Sequence, residues 1–224
     1  MNKIKLRKSK RIFICFIGLD GSGKSTLAEE MIKILYDKDI QSHYIWGGYT
    51  LYILRPFVKL IRKVITRRHN PFDKYKSYHS SLRSLNRRKL LFKIYKDFLM
   101  FEYLVEIFVK IKIPLWFGKN IISDRYVFDT ATSIASNYDL SFESQREFIN
   151  DLLRLSPKPD IVFLVDVPEK VAMSRKEDIP SLEYLKNRLK YYRNLCEYYD
   201  IVTLDGTSEI SSLTKLIDNS IEIC

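Results

Sequence analysis

Apolar residues run without a break from Ile12 to Ile17, the pattern of a strand over residues 11–17 buried on both faces. After a short polar loop the spacing changes to threes and fours. Leu27, Met31, Ile34 and Leu35 share one face of a helix predicted to run to about Lys38. Ser42 to Trp46 predicts a second strand, broken by Gly47-Gly48. From Thr50 to Leu115 the pattern is mostly helical, interrupted at HNPFD (69–73). Its last piece, Leu90 to Lys112, is apolar enough for a core helix, and Pro114 is expected to end it. Gly118-Lys119-Asn120 turns the chain into a third strand, IISD (121–124). An amphipathic helix at 142–155 stops before Pro157 and Pro159. A fourth strand follows, IVFLVDV (161–167), and Pro168-Glu169 opens a short helix. Beyond the polar stretch RKEDIPS (175–181), apolar or aromatic residues at 182, 185, 189, 192, 196 and 199 form one buried helical stripe. IVTLD (201–205) is the fifth strand, Gly206 turns, and a last amphipathic helix closes the chain. Strands alternating with helices predict an α/β fold, a five-stranded parallel sheet with right-handed crossovers and helices on both faces.

The loop between the first strand and first helix reads Gly18-x4-Gly23-Lys24-Ser25-Thr26, a P-loop in the strand-before, helix-after context that gives the motif meaning. Its glycines let successive backbone N–H groups converge on a polyphosphate, and the following helix adds its positive end. Gly18, Asp20, Gly21, Ser22, Gly23, Lys24, Ser25 and Thr26 are therefore the candidate ATP-binding residues. Lys24, expected in a solvent-facing loop, would reach the β- and γ-phosphates, and the Ser25 hydroxyl would sit on Mg2+.

Composition adds three constraints. The 224 residues, 46% hydrophobic and 13% aromatic, suit one P-loop domain over residues 1–224. Cys15, Cys196 and Cys224 show no metal spacing, which fits a reduced, cytoplasmic setting. The basic start MNKIKLRKSKR is followed by too short an apolar run for a signal peptide or a spanning helix. Charge is unevenly spread: between Arg55 and Lys96 fourteen Lys or Arg face one acid, Asp73, against a net charge of +11 for the whole chain. That cluster is an anion-facing surface. Within 51–96, the segment LYILRPFVKLIRKVI (51–65) suits either a core helix with a basic rim or a helix lying peripherally on an anionic membrane. No nucleic-acid-binding signature accompanies it.

Asp124-Arg125-Tyr126 ends the third strand, and in open α/β sheets ligands sit beyond the carboxyl ends of strands. A carboxylate there can hold Mg2+ through water, and Arg125 can neutralise phosphate charge. The succession GLDGSGKST, GKNIISDRYVFDT, PDIVFLVDVPEKVAMSR and IVTLDGT resembles the thymidylate kinase family of nucleoside monophosphate kinases, over most of the chain except roughly 47–95. The resemblance implies transfer of the ATP γ-phosphoryl group to a small acceptor, dTMP by default. It implies Asp20 toward the acceptor sugar, Asp124 and Arg125 between the two phosphate sites, and a lid at about 173–188 supplying a catalytic arginine. Arg175 is the residue carried over for that role, with Lys176 and Arg188 behind it. It also implies a homodimer through helices flanking the third strand.

Two departures stand out against that family. Its usual arginine after the second strand, which grips the acceptor phosphate, is replaced by Trp46-Gly47-Gly48-Tyr49. The core helix that usually presents a base-reading arginine has none between Asp97 and Glu106, where it offers Glu102 and Glu106. Asp129 and Thr130 fall where the family contacts its acceptor. The acceptor side at about 47–95 is thus reshaped, which leaves open an acceptor that is a nucleoside, a sugar or a membrane-linked alcohol. A nucleotide-gated module docking on a membrane or nucleic acid is the non-enzymatic alternative.

Overall fold

A computed structural model describes residues 4–6, 11–50 and 89–223. The membrane-surface expectation for 51–65 and most of the basic stretch lie outside those residues. No helix among the described residues is long and apolar enough to cross a membrane.

The main sheet holds five parallel strands: β2 (Phe13–Gly18), β3 (Ser42–Trp46), β4 (Asn120–Asp124), β5 (Ile161–Asp166) and β6 (Ile201–Asp205), in the order β3-β4-β2-β5-β6. A separate two-stranded parallel pair, absent from the sequence reading, joins β1 (Ile4–Leu6) to β7 (Ile221–Ile223). Strand β2 is central, and the chain leaves it first toward β3 and later toward β5. Its carboxyl end is therefore the point where the winding reverses and a crevice opens.

Because β2 is buried on both faces, its alternate residues feed two cores. Phe13, Cys15 and Ile17 join one cluster with the helices α2 (Lys89–Ile107), α3 (Val127–Tyr138), α4 (Phe142–Leu155) and α6 (Leu182–Leu195). Ile14 and Phe16 join the other, under α1 (Lys24–Tyr36) and α7 (Ile210–Ser220). Serine caps set two of these helices: Ser141 Oγ accepts the Ser144 N–H and Ser181 Oγ the Tyr184 N–H, each at 3.1 Å. The short α5 (Glu169–Ser174) follows Pro168, as expected.

Two expectations need correction. Pro114 does not end the long helix. A π-helical segment, Phe108–Lys112, widens the turn ahead of it, and Ile113–Trp116 adds one more helical turn. Proline lacks an N–H, and it is tolerated there at the start of that turn, where an intrahelical donor is not needed. Helix α3, unread from sequence, occupies the segment straight after Asp124-Arg125-Tyr126. All of it is buried except Ser133 and Asn137, although Val127, Phe128, Ala131, Ile134, Ala135 and Tyr138 fall at the spacing of one helical face.

Candidate active site

The phosphate loop leaves β2 at Gly18 and folds back on itself, with Leu19 O accepting the Ser22 N–H at 3.2 Å. The same carbonyl accepts Lys24 Nζ at 3.0 Å. Lys24 is the first residue of α1 and only 4% exposed, which corrects the solvent-facing expectation. The loop encloses its own lysine, whose ammonium is partnered by a backbone carbonyl and by Asp20 at 4.0 Å. Burial and the neighbouring Arg125 pull Lys24 down to about 8, against the pull of Asp20. Gly21, at φ 82°, lies so close to α5 that a Cβ there would overlap the Ala172 carbonyl oxygen. Ser25 and Thr26 stand exposed on the first turn of α1.

At the end of β4, Asp124 Oδ2 accepts two hydroxyls, Ser25 Oγ at 2.5 Å and Tyr44 OH at 3.0 Å. Its other oxygen, Oδ1, is buried without a hydrogen-bond partner among the described residues. An orphaned carboxylate oxygen beside a serine hydroxyl is a hard-oxygen donor set that fits Mg2+. Tyr44 was not singled out from the sequence. It reaches Asp124 because β3 pairs with β4, with Trp46 opposite Asp124 and Tyr44 two residues earlier. Burial and the Asp124 charge push its phenol up to about 12.

Arg125 sits at φ 75°, a left-handed conformation that is costly for a non-glycine residue, by roughly 1–3 kcal/mol. Its backbone N–H still bonds Phe16 O at 2.9 Å, and its carbonyl accepts Ser123 Oγ at 2.6 Å. The strained turn aims the guanidinium between two carboxylates: Nη2 contacts Asp20 Oδ1 and Nη1 lies 3.2 Å from Asp129 Oδ1. Asp129 also accepts Tyr192 OH at 2.7 Å and the Tyr126 N–H at 3.2 Å. It is thus the buried anchor of Arg125. Burial would raise Asp20, but Arg125, Lys24 and Arg188 outweigh it and hold its carboxyl below the usual range. Arg125 is held charged against its burial by Asp129 and Asp20.

Beside this cluster opens a cavity of about 360 Å³. Its walls carry Arg125, Asp129 and Thr130, then Ser133 and Asn137 from the exposed edge of α3, and Arg188 from α6. Trp46, Tyr49, Tyr95 and Tyr138 add aromatic surface. The turn after β3 is fixed from α2: Tyr49 OH donates to Glu102 at 2.6 Å, the Thr50 N–H to Glu106 at 3.0 Å, and Tyr103 OH to Gly47 O at 2.8 Å. Glu102 and Glu106 therefore hold the turn in place. Arg175 lies apart from the cavity, donating to Gly206 O at 2.9 Å, in a turn that packs on Ser22 of the phosphate loop. Lys176 faces Asp178 at 3.4 Å. The structure thus gathers Asp20, Lys24 and Arg125 into one cluster and Ser25 with Asp124 into another. Arg175 is brought to the loop's outer side, and Arg188 lies deeper in the site than sequence ranked it.

No protein-family model matches the chain. Among curated proteins it is 32% identical to a probable thymidylate kinase of Thermococcus kodakarensis over 172 residues, 73% of this chain and 70% of that one. A probable thymidylate kinase of Sulfurisphaera tokodaii is 27% identical over 91% of this chain and 92% of its own length. The thymidylate kinase of Fervidobacterium nodosum is 24% identical over 92% and 96%. With its parallel sheet, glycine-rich phosphate loop and Asp-Arg pair at the adjacent strand end, the chain belongs to the thymidylate kinase family and is an ATP-dependent phosphotransferase.

Proposed function

We propose that the protein transfers the γ-phosphoryl group of ATP to a nucleoside monophosphate, with dTMP converted to dTDP as its reaction. One observation carries this most directly. Arg125, in the wall of the acceptor-sized cavity, is paired with Asp20 of the phosphate loop, so a donor on one side and an acceptor on the other would meet at one guanidinium.

In this function the amides of Gly18, Gly21, Ser22 and Gly23, with Ser25 and Thr26, hold the ATP phosphates, and Lys24 neutralises the β- and γ-phosphates. Ser25 and, through water, Asp124 would hold Mg2+, which supplies charge neutralisation at the phosphates. Arg125 stabilises charge on the transferring group, Asp20 lies toward the acceptor sugar, and Arg175 turns from Gly206 toward ATP as the lid at about 173–188 closes. Catalysis is positioning plus electrostatic stabilisation, with no covalent intermediate on the protein.

The test is ADP release with a panel of nucleoside monophosphates, nucleosides and sugars. Turnover of dTMP on the order of 1–100 per second is expected. Turnover of a nucleoside or sugar with none of dTMP would overturn it. That second outcome is favoured by one feature, the Gly47-Gly48 turn, which brings no cation to the acceptor side.

A further inference from the structure

The buried cations of the site share its carboxylates unequally. Among the described residues Arg125, Lys24 and Arg188 lie beside Asp20 and Asp129, with Asp124 close to Lys24 and Arg125. Asp124 is engaged by Ser25 and Tyr44 at the metal corner. Arg125 takes both carboxylates, contacting Asp20 and lying 3.2 Å from Asp129. Arg188 is left with the poorer share: its Nη1 lies 3.8 Å from Asp20 Oδ2, beyond hydrogen-bond distance. Nη2 donates to the Ser133 hydroxyl at 2.7 Å, a neutral partner, and Nε is buried with no partner among the described residues.

Arg188 is nonetheless firmly held. It is 9% exposed, it projects from the core face of α6 between Leu185 and Leu189, and its guanidinium carbon stacks 4.5 Å over the Tyr184 ring. A preorganised, buried guanidinium with spare donors in a cavity wall is a site for an anion, because a desolvated charge is costly until it is matched. Among the described residues, the turn after β3 in the same cavity brings no cation of its own. The turn after β3 is glycine at 47 and 48, and a Cβ at Gly47 would overlap the Arg125 carbonyl, so no side chain fits there to bring a cation in.

We propose that Arg188 binds the phosphate of the acceptor, gripping a monophosphate ester jointly with Arg125, and that it thereby selects phosphorylated over unphosphorylated acceptors. This rests on the phosphoryl-transfer function proposed above. Ser133 is a positioning residue that aims the guanidinium by accepting Nη2. Arginine suits the place better than lysine, since its planar fork can serve Ser133 and two phosphate oxygens together.

The test compares wild type with Arg188→Met, Arg188→Lys and Ser133→Ala, by dTMP kinetics and by calorimetric titration with dTMP, thymidine and ATP. Arg188→Met is expected to raise the KM and Kd for dTMP roughly 30-fold or more. Thymidine and ATP affinities should stay within about threefold of wild type. Arg188→Lys should recover part of the loss, and Ser133→Ala should weaken dTMP by roughly threefold to fivefold. Equal weakening of dTMP and thymidine would show a mere strut and overturn the proposal. An unchanged KM with a reduced kcat would also overturn it, placing Arg188 at the transferring phosphoryl group instead. If Arg188→Met does not fold, Arg188→Lys and Ser133→Ala decide, and dTMP binding unchanged in both overturns the proposal. Wild type that turns over dTMP while Arg188→Met keeps the same KM defeats this inference alone. Wild type that binds dTMP through Arg188 but never phosphorylates it defeats only the function proposed above.

Discussion

Tyr44 and Ser25 both donate their hydroxyls to one oxygen of Asp124, at 3.0 and 2.5 Å, which leaves the other carboxylate oxygen buried without a hydrogen-bond partner among the described residues. Ser25 and Tyr44 belong to consecutive elements, α1 and β3, but Asp124 lies 99 and 80 positions further along the chain and meets Tyr44 because β4 pairs with β3. The phenol orients a carboxylate whose free oxygen is available to a cation or its water. Tyr44→Phe is therefore expected to raise the Mg2+ activation constant roughly tenfold with little change in thermal stability. Mn2+ binding to the ADP complex, followed by paramagnetic resonance, should weaken in parallel. Unchanged metal binding would remove Tyr44 from the metal corner.

Lys24 makes ATP binding dependent on alkaline pH. Burial and Arg125 bring its ammonium down to about 8 in the protein alone, and a bound triphosphate would restore its proton. ATP affinity should hold steady below that pH and fall up to about tenfold per unit above it. Calorimetry at pH 8.5 in buffers of different ionisation enthalpy should report proton uptake on binding. Lys24→Met should abolish that uptake and lower kcat by roughly 100-fold or more.

The same residue sets a stability trend of opposite appearance. Because its folded pKa is depressed, the unfolded chain holds the Lys24 proton more tightly between about 8 and the ordinary lysine value of 10.5. Raising pH through that window strips the unfolded state and favours the fold. The nucleotide-free wild type should gain stability there relative to Lys24→Met, by up to about 3 kcal/mol in denaturant titrations. A constant difference between the two proteins would contradict the burial of the charge.

Arg125 is both a site residue and a structural counter-charge. Arg125→Ala leaves Asp129 buried with only Tyr192 and a backbone N–H, so a stability loss of about 3–5 kcal/mol is expected. In the folded fraction, turnover should fall more than 100-fold while ATP affinity changes by less than about threefold. Asp129→Asn, which keeps the shape but removes the charge, should reduce turnover less. Equal effects of the two substitutions on kcat would argue that Arg125 acts only through the pair.

Gly21 tests whether α5 is seated on the phosphate loop. Gly21→Ala drives a Cβ into the Ala172 carbonyl at a positive φ, so either α5 or the loop must shift. ATP affinity should drop by roughly tenfold or more, with a stability loss of about 1–3 kcal/mol. Wild-type ATP binding in this variant would mean that the loop and α5 separate freely.

Local signals determined much of this protein. Unbroken apolar runs marked β2 and β5, whose burial on both faces leaves little room for polar residues, whereas β4 and β6 were read from shorter apolar stretches and the turns beside them. The glycine spacing around Lys24 revealed the phosphate loop because only glycine allows that backbone path, and Asp124-Arg125 was legible by its place at a strand end. Tertiary structure alone decided the rest. Helix α3 carries an apolar stripe at helical spacing, but only packing decided that Asp129, Thr130, Thr132 and Ser136 on its other side are buried as well. Tyr44 reaches Asp124 through strand pairing, and Arg188 reaches Asp20 across 168 positions of sequence because α6 packs against α3. Buried electrostatics depends on which charges the fold brings within a few ångströms, and no spacing along one chain encodes that distance.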